Sequence, residues 1–336
     1  MIVLFGIATF VGAFLTFLLE LLVSQMILPF FGGTPSVWNT CVLFFQATLL
    51  AGYGYSHLMG AGAGWRKRVI THVVLMGIPL AVLPIRIGAD WAPPAGVVPV
   101  FWQTWMLLAT VGLPFFAVSA TTPLVQRWLS RTPHPSGRDP YHLYAASNLG
   151  SLLALLAYPL VIEPAFDLSE VSRLWTAGYV VLLVLIGACG ASAMLGRREE
   201  HKPAREQGGE AATTAGTRWR WLALAFVPSS LMLSVTTHLS TDVASAPLLW
   251  VLPLALYLLT YVLAFARRRL FRVAALERSV PLVVLLLAIV LVTEGLEPPP
   301  WLLFPLHLGA LFSISLACHG QMADLRPPVS RLTEYY

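Results

Sequence analysis

The chain has 336 residues, of which 57% are hydrophobic and only 11% are Asp, Glu, Lys or Arg. A soluble domain carries roughly 25% charged residues, so this composition excludes a soluble globular enzyme, along with disordered, collagen-like and coiled-coil chains. The formal net charge is +5, and the three cysteines, Cys41, Cys189 and Cys318, lie far apart in apolar stretches with neither metal-ligand spacing nor a disulfide framework.

A membrane-spanning helix needs about 20 mostly apolar residues. Hydrophobicity predicts ten: 3–30, 37–57, 69–85, 100–124, 141–162, 171–195, 219–240, 247–266, 279–293 and 301–320. The fold class expected is therefore all-α, a polytopic integral membrane helical bundle. The first span lacks a basic leader and is too long for a cleaved signal peptide. It also holds Glu20 near its middle, the one acid so placed. A carboxylate at that depth costs a few kcal/mol. Two readings stand for it, a proton- or cation-binding group or a neutral Glu that locks helix packing.

In the second span Asn39, Gln46, Tyr53 and His57 recur at +7, +7 and +4, one narrow stripe at 100° per residue. Lipid offers such a stripe no hydrogen bonds, so it is expected to face protein or water. A polar path and an interhelical glue face are the two readings. The fifth span carries Tyr141, Tyr144, Asn148, Ser151 and Tyr158 on one side and Ala146, Gly150 and Ala154 on another. The small residues permit close helix approach. The tyrosine and Asn stripe suits a cavity lining, and Tyr141 and Tyr158 also suit the two interfaces. Glu163, Asp167 and Glu170 follow on a loop and read as a solvated face.

Residues 196–218 form a charged, then Gly/Ala/Thr-rich segment without apolar periodicity, expected to be a flexible cytoplasmic linker. It divides a six-span half, 1–195, from a four-span half, 219–336, with no convincing internal repeat. In the seventh span Ser234, His238 and Asp242 lie at i, i+4 and i+8. His238 and Asp242 can pair near the outer face, as a structural pair or as a protonation-sensitive site. All three sit on one helix without an elbow or an oxyanion donor, which rules out a hydrolase triad. His57, His72, His307 and His319 offer no two ligands on one span at metal or haem spacing, so neither metal nor cofactor is expected. Phosphate loops, dinucleotide fingerprints, CxxC and HExxH are missing as well.

With both termini cytoplasmic and the spans alternating, every Lys and Arg except Arg86 and Arg173 falls on the cytoplasmic side. The basic balance is then a topology signal that suits anionic membrane lipids, and no nucleic-acid partner is implied. The expected location is a cytoplasmic, bacterial inner membrane.

Glu20-Leu-Leu-Val-Ser24, Leu28-Pro29-Phe-Phe-Gly-Gly33, Val37-Trp38 and Gly52-Tyr53-Gly54 resemble the opening of the membrane domain of spermidine synthase-like proteins, the fused major-facilitator/spermidine synthase family. Tyr144-Ala-Ala-Ser-Asn148-Leu-Gly150, Tyr158-Pro159 and Glu163-Pro164 are similar to that family's fifth span. Thr236-Thr-His238-Leu-Ser-Thr-Asp242-Val and Pro247-Leu-Leu-Trp250 look like the branch that keeps many spans. The resemblance implies a membrane bundle of transporter-like layout. The family's aminopropyltransferase domain has no counterpart in the chain, so no enzymatic activity carries over. Relatives continue into further helices where this chain reaches Tyr336, so it is either a short variant or truncated there.

Three functions are expected from these features. The first is a non-enzymatic module that binds or moves a small solute, a cation or amine, through Glu20 and the second-span stripe. The second is a structural or assembly subunit of a larger membrane complex; besides membrane lipids, the partners expected are other membrane subunits or a homo-oligomer. The third is the membrane half of a synthase-like protein whose catalytic domain is absent or separate.

Overall fold

The computed structural model describes residues 1–60, 64–94, 96–132, 140–195, 214–239, 250–266, 273–293, 299–328 and 331–335. Among them the regular structure is helical throughout, with no strand. Six helical stretches are long and apolar enough to cross a membrane: Ile2–Phe31, Pro99–Ser130, His142–Ala165, Leu168–Leu195, Ala215–His238 and Trp301–Asp324. Many large apolar side chains on these and neighbouring helices point outward, among them Leu43, Leu50, Phe101, Leu160 and Val184. Water penalises such a surface and lipid does not. These helices mark a membrane-embedded protein.

The second, third, eighth and ninth predicted spans also form helices, in whole or in part. The second forms α2, Pro35–Gly60, diluted by its polar stripe. The third is cut short. After α3, Trp65–Gly77, the chain tightens into a 3₁₀ turn at Ile78–Ala81 and then leaves helix altogether. Pro79 and Pro84 explain this, since each lacks an N–H and clashes with the preceding turn. Two carbonyls, one in the last turn of α3 and one beyond it, are satisfied from another helix, Met76 by the Tyr179 hydroxyl at 2.8 Å and Ile85 by the Ser172 hydroxyl at 2.7 Å. The eighth predicted span appears as α11, Val251–Ala264, with 14 helical residues. The ninth forms α12, Val273–Val292.

Prolines also shape two long spans without ending them. The fourth runs as α4, Pro99–Leu107, a π-helical turn at Leu108–Gly112, α5, Leu113–Ser119, and α6, Thr121–Ser130. The fifth runs as α7, His142–Ala157, a π-helical turn at Tyr158–Ile162 and a last short turn α8, Glu163–Ala165. Pro114 and Pro159 sit beside and within these wide turns, where the missing donor breaks the regular ladder. The remaining long helices are α1, Ile2–Phe31, α9, Leu168–Leu195, α10, Ala215–His238, and α13, Pro300–Asp324, followed by a short α14, Leu332–Tyr335.

The chain divides into two compact units, Met1–Arg198 with Val329–Glu334, and Glu199–Pro328 with Tyr335. In the first, α1 is the central helix. It packs chiefly on α7 and α9, then on α6 and α5. Gly150 lies so close to the backbone of Phe10 and Phe14 that a Cβ there would collide with the Phe10 carbonyl. Gln25 meets Glu163 farther along, so α1 and α7 run parallel. Leu15 meets Trp175 and Gly178, while Gly12 meets Leu182, so α9 runs antiparallel to α1. The α2 helix follows the α4–α6 span in parallel, from Val37 beside Gln103 to Ser56 beside Ala120.

In the second unit α13 is central and touches α10, α11 and α12. Trp221 donates to the Leu325 carbonyl near one end, and His238 lies against His307 near the other, so α10 and α13 are antiparallel. Tyr335 closes this unit locally, donating to the Met322 carbonyl at 2.8 Å and packing edge-on against Trp221.

Candidate functional site

Glu20 lies on α1, two-thirds of the way along it, and its side chain is half-buried. Its backbone carbonyl accepts from the Ser24 hydroxyl, but its carboxylate has no hydrogen-bond or ion-pair partner among the described residues. The contacts of Phe10 and Phe14 with Gly150, and of Gln25 with Glu163, fix the register between α1 and α7. That register puts Glu20 level with Tyr158, the first residue of the π-helical turn. Such turns widen a helix and leave carbonyls without regular donors, a common feature of functional sites. The small residues make this approach close. Gly150 and Ala154 are buried and Ala146 is half-buried.

The second-span stripe has a different setting. Asn39, Gln46 and His57 are exposed, and Tyr53 is half-buried. The buried side of α2 is the adjoining one, where a Cβ on Gly52 would collide with the Ser119 hydroxyl and the Ser56 hydroxyl reaches the Ala120 carbonyl at 2.8 Å. The polar stripe thus lies beside outward-facing Leu43 and Leu50 rather than inside the first unit. On α7, Asn148 is half-buried and its amide donates to the Tyr144 carbonyl at 2.9 Å, within its own helix. Tyr141 and Tyr158 are both buried, which is not the setting of interface anchors. The structure brings Glu20 to the level of Tyr158, and leaves Asn39 and Gln46 on an outer surface.

The loop acids are resolved as a local device. Asp167 Oδ1 accepts from the Glu170 backbone N–H at 2.8 Å and from the Ser169 hydroxyl at 2.7 Å. Glu170 Oε2 in return accepts from the Asp167 N–H at 3.0 Å. This reciprocal pair is a capping box at the start of α9. The Ser169 hydroxyl, followed by the Glu170 N–H, holds the Asp167 carboxyl below the usual carboxylate range.

In the second unit His238 is the last residue of α10 and is half-buried. Asp242 lies outside the described residues. Among the described residues, the His238 ring lies beside that of His307, on α13, with ring centroids 4.8 Å apart. His319 is fully buried between helices. Its Nδ1 lies 2.9 Å from the Thr260 hydroxyl, and its ring stacks on Tyr261 at 3.6 Å. No group of three or more His, Cys, Asp or Glu side chains able to hold a metal occurs among the described residues.

Several buried polar groups had no signature in the sequence. Gln103 donates to the Val37 carbonyl at 2.9 Å and contacts Cys41 Sγ at 3.1 Å, tying α4 to α2. Tyr55, His72 and Gln126 each bury polar atoms that have no protein partner among the described residues. His72 sits between the rings of Tyr55 and Trp128, both centroids 5.9 Å away. Isolated polar residues of this kind form no periodic stripe, and only the packing of three helices marks them. Comparison of the chain with protein families and with curated proteins finds no match.

Proposed function

We propose that this protein is a non-enzymatic, multi-pass membrane module of transporter-like layout that binds or moves a small solute, a cation or an amine, at Glu20. One observation carries the reading: a half-buried carboxylate on the central helix of the first unit has no partner among the described residues and stands level with a π-helical turn. In a membrane interior, a carboxylate that the bundle itself leaves unpaired is retained for an ion, a proton or a ligand. The full layout in this reading is ten spans with both termini cytoplasmic, in a bacterial inner membrane. It is supported by the distribution of Lys and Arg and by the alternating helix directions within each unit.

The test is uptake of small cations and amines into proteoliposomes under an imposed proton gradient. Glu20→Gln is expected to abolish coupled uptake while expression and folding are kept. Uptake equal to that of the unmodified protein removes Glu20 from the mechanism.

The exposed Asn39 and Gln46 favour a second reading, an assembly subunit of a larger membrane complex in which another polypeptide covers this face of α2. Native mass spectrometry after gentle extraction separates the two. A lone chain or a homo-oligomer favours the solute-binding reading, and stoichiometric partners of other sequence favour the subunit.

A further inference from the structure

Exposed hydroxyls on several helices are satisfied within their own helix. Thr104 donates to the Val100 carbonyl, Ser234 to the Ser230 carbonyl and Thr237 to the Leu233 carbonyl, each one turn back. The amides of Asn39 and Gln46 are not. Both are exposed on α2, and neither has a hydrogen-bond partner among the described residues. The α2 helix follows the α4–α6 span from Val37 to Ser56, so Gln46, close to its midpoint, lies deep along that span. At such a depth lipid offers an amide no partner, and each unsatisfied polar group is costly.

The two amides belong to a seam. Asn39, Leu43, Gln46 and Leu50 follow one another at +4, +3 and +4. All four are exposed, Leu43 by 71% and Leu50 by 72%. This is the spacing of about 3.5 residues that keeps two helices in contact along a left-handed crossing. Ala47, Ala51 and Gly54 lie beside the seam and are exposed too, and small residues let two backbones approach closely. From Trp38 to Gly54 the helix carries no charged residue.

A second copy of the chain matches this face. Copies of one chain insert with the same orientation. A two-fold axis along the membrane normal then sets two α2 helices parallel, with each seam residue beside its own twin. An amide both donates and accepts, so two identical amides satisfy each other, whereas two identical charges repel. Two identical seams also share one spacing, so both amide pairs form in the same register.

We propose that the protein self-associates as a homodimer through α2, with Asn39 and Gln46 each paired to its twin and Leu43 and Leu50 packed between them. The subunit reading gives this face to a polypeptide of other sequence, so the identity of what cross-links there separates the two. The proposal takes α2 as membrane-spanning and does not involve Glu20, so the outcome of the uptake test does not bear on it.

The test is disulfide cross-linking of the full chain in the membranes of cells that express it, with copper–phenanthroline as oxidant. Leu43→Cys and Leu50→Cys are each expected to give a product of twice the chain's mass. Val184→Cys, outward-facing on α9, and the unmodified chain are expected to give none. A second measurement follows energy transfer between labelled copies as they are diluted in lipid vesicles. Replacing both amides, Asn39→Leu with Gln46→Leu, is expected to raise the dissociation constant of the dimer about tenfold. Leucine suits lipid, so this variant keeps its fold, and Gln46→Asn, which retains an amide, is expected to keep the dimer. Cross-linking at 43 and 50 no stronger than at 184 overturns the proposal. So does an unchanged dissociation constant in the double variant, or a cross-link at 43 to a polypeptide of another mass in place of the dimer.

Discussion

At the scale of single residues, this protein places hydrogen-bonding side chains where a helix gives way to irregular backbone. Tyr179 is fully buried, and its hydroxyl serves Met76 at the point where α3 gives way to a tighter turn. Tyr179→Phe keeps the ring packing and deletes this bond. The expected cost is about 0.5–1.5 kcal/mol, or more if the Met76 carbonyl then finds no other donor, measured by equilibrium unfolding in detergent micelles. Residue type alone singled out Glu20 and His238, because charged and titratable groups are rare in spans. It did not single out Tyr55, Gln103 or Gln126, whose significance depends on which atoms face them across helices.

At the scale of elements, the helix ends and close approaches decide the architecture. Glu163 and Asp167 are exposed, as a solvated face requires, and Asp167 with Glu170 also forms the capping box, which acid spacing alone does not reveal. Asp167→Ala is expected to fray the first turn of α9, seen as faster amide exchange at 168–171 with the rest of α9 unchanged. The pH dependence follows from the direction of the Asp167 shift. Its folded carboxyl is held below the ordinary carboxylate range, so the cap's contribution is present above the unfolded value and is lost as pH falls through the lower folded one. Protection of this turn in the unmodified chain should therefore persist through mild acid and disappear only at more acidic pH.

The small residues of α7 have a sharper consequence. Gly150→Ala drives a methyl group into the Phe10 carbonyl of α1, and overpacking of this kind costs typically about 1–3 kcal/mol. Gly187, in mid-α9, has open space around its Cβ position. Gly187→Ala should be neutral or slightly stabilising, since Ala favours helix over Gly by up to about 1 kcal/mol. Equal destabilisation by both substitutions in thermal unfolding would show that backbone proximity at Gly150 is not what matters.

At the scale of the whole molecule, each unit is organised around one helix, α1 in the first and α13 in the second. Each central helix carries a titratable group within its length, Glu20 on α1 and His307 on α13. The proposed orientation predicts that green fluorescent protein fused to either terminus fluoresces in bacterial cells, as a cytoplasmic location requires. Alkaline phosphatase fused there should be inactive. The opposite pattern at either end overturns the alternating ten-span layout.

Composition and hydropathy by themselves determined that this is a helical, membrane-embedded chain, because hydrocarbon demands apolar side chains and internally satisfied backbone over a fixed length. Periodicity also placed Gly150 and Ala154 on a packing face, since small side chains at i and i+4 permit close helix approach whatever the partner. Tertiary structure alone decided that the Asn39–Gln46 stripe faces outward and that His238 meets His307 rather than only residues of its own helix. It also decided that α3 ends before its predicted length, with Tyr179 and Ser172 taking up the freed carbonyls. The physical reason is common to all three: periodicity says which residues share a face, but which helix lies against that face depends on contacts between residues far apart in the chain.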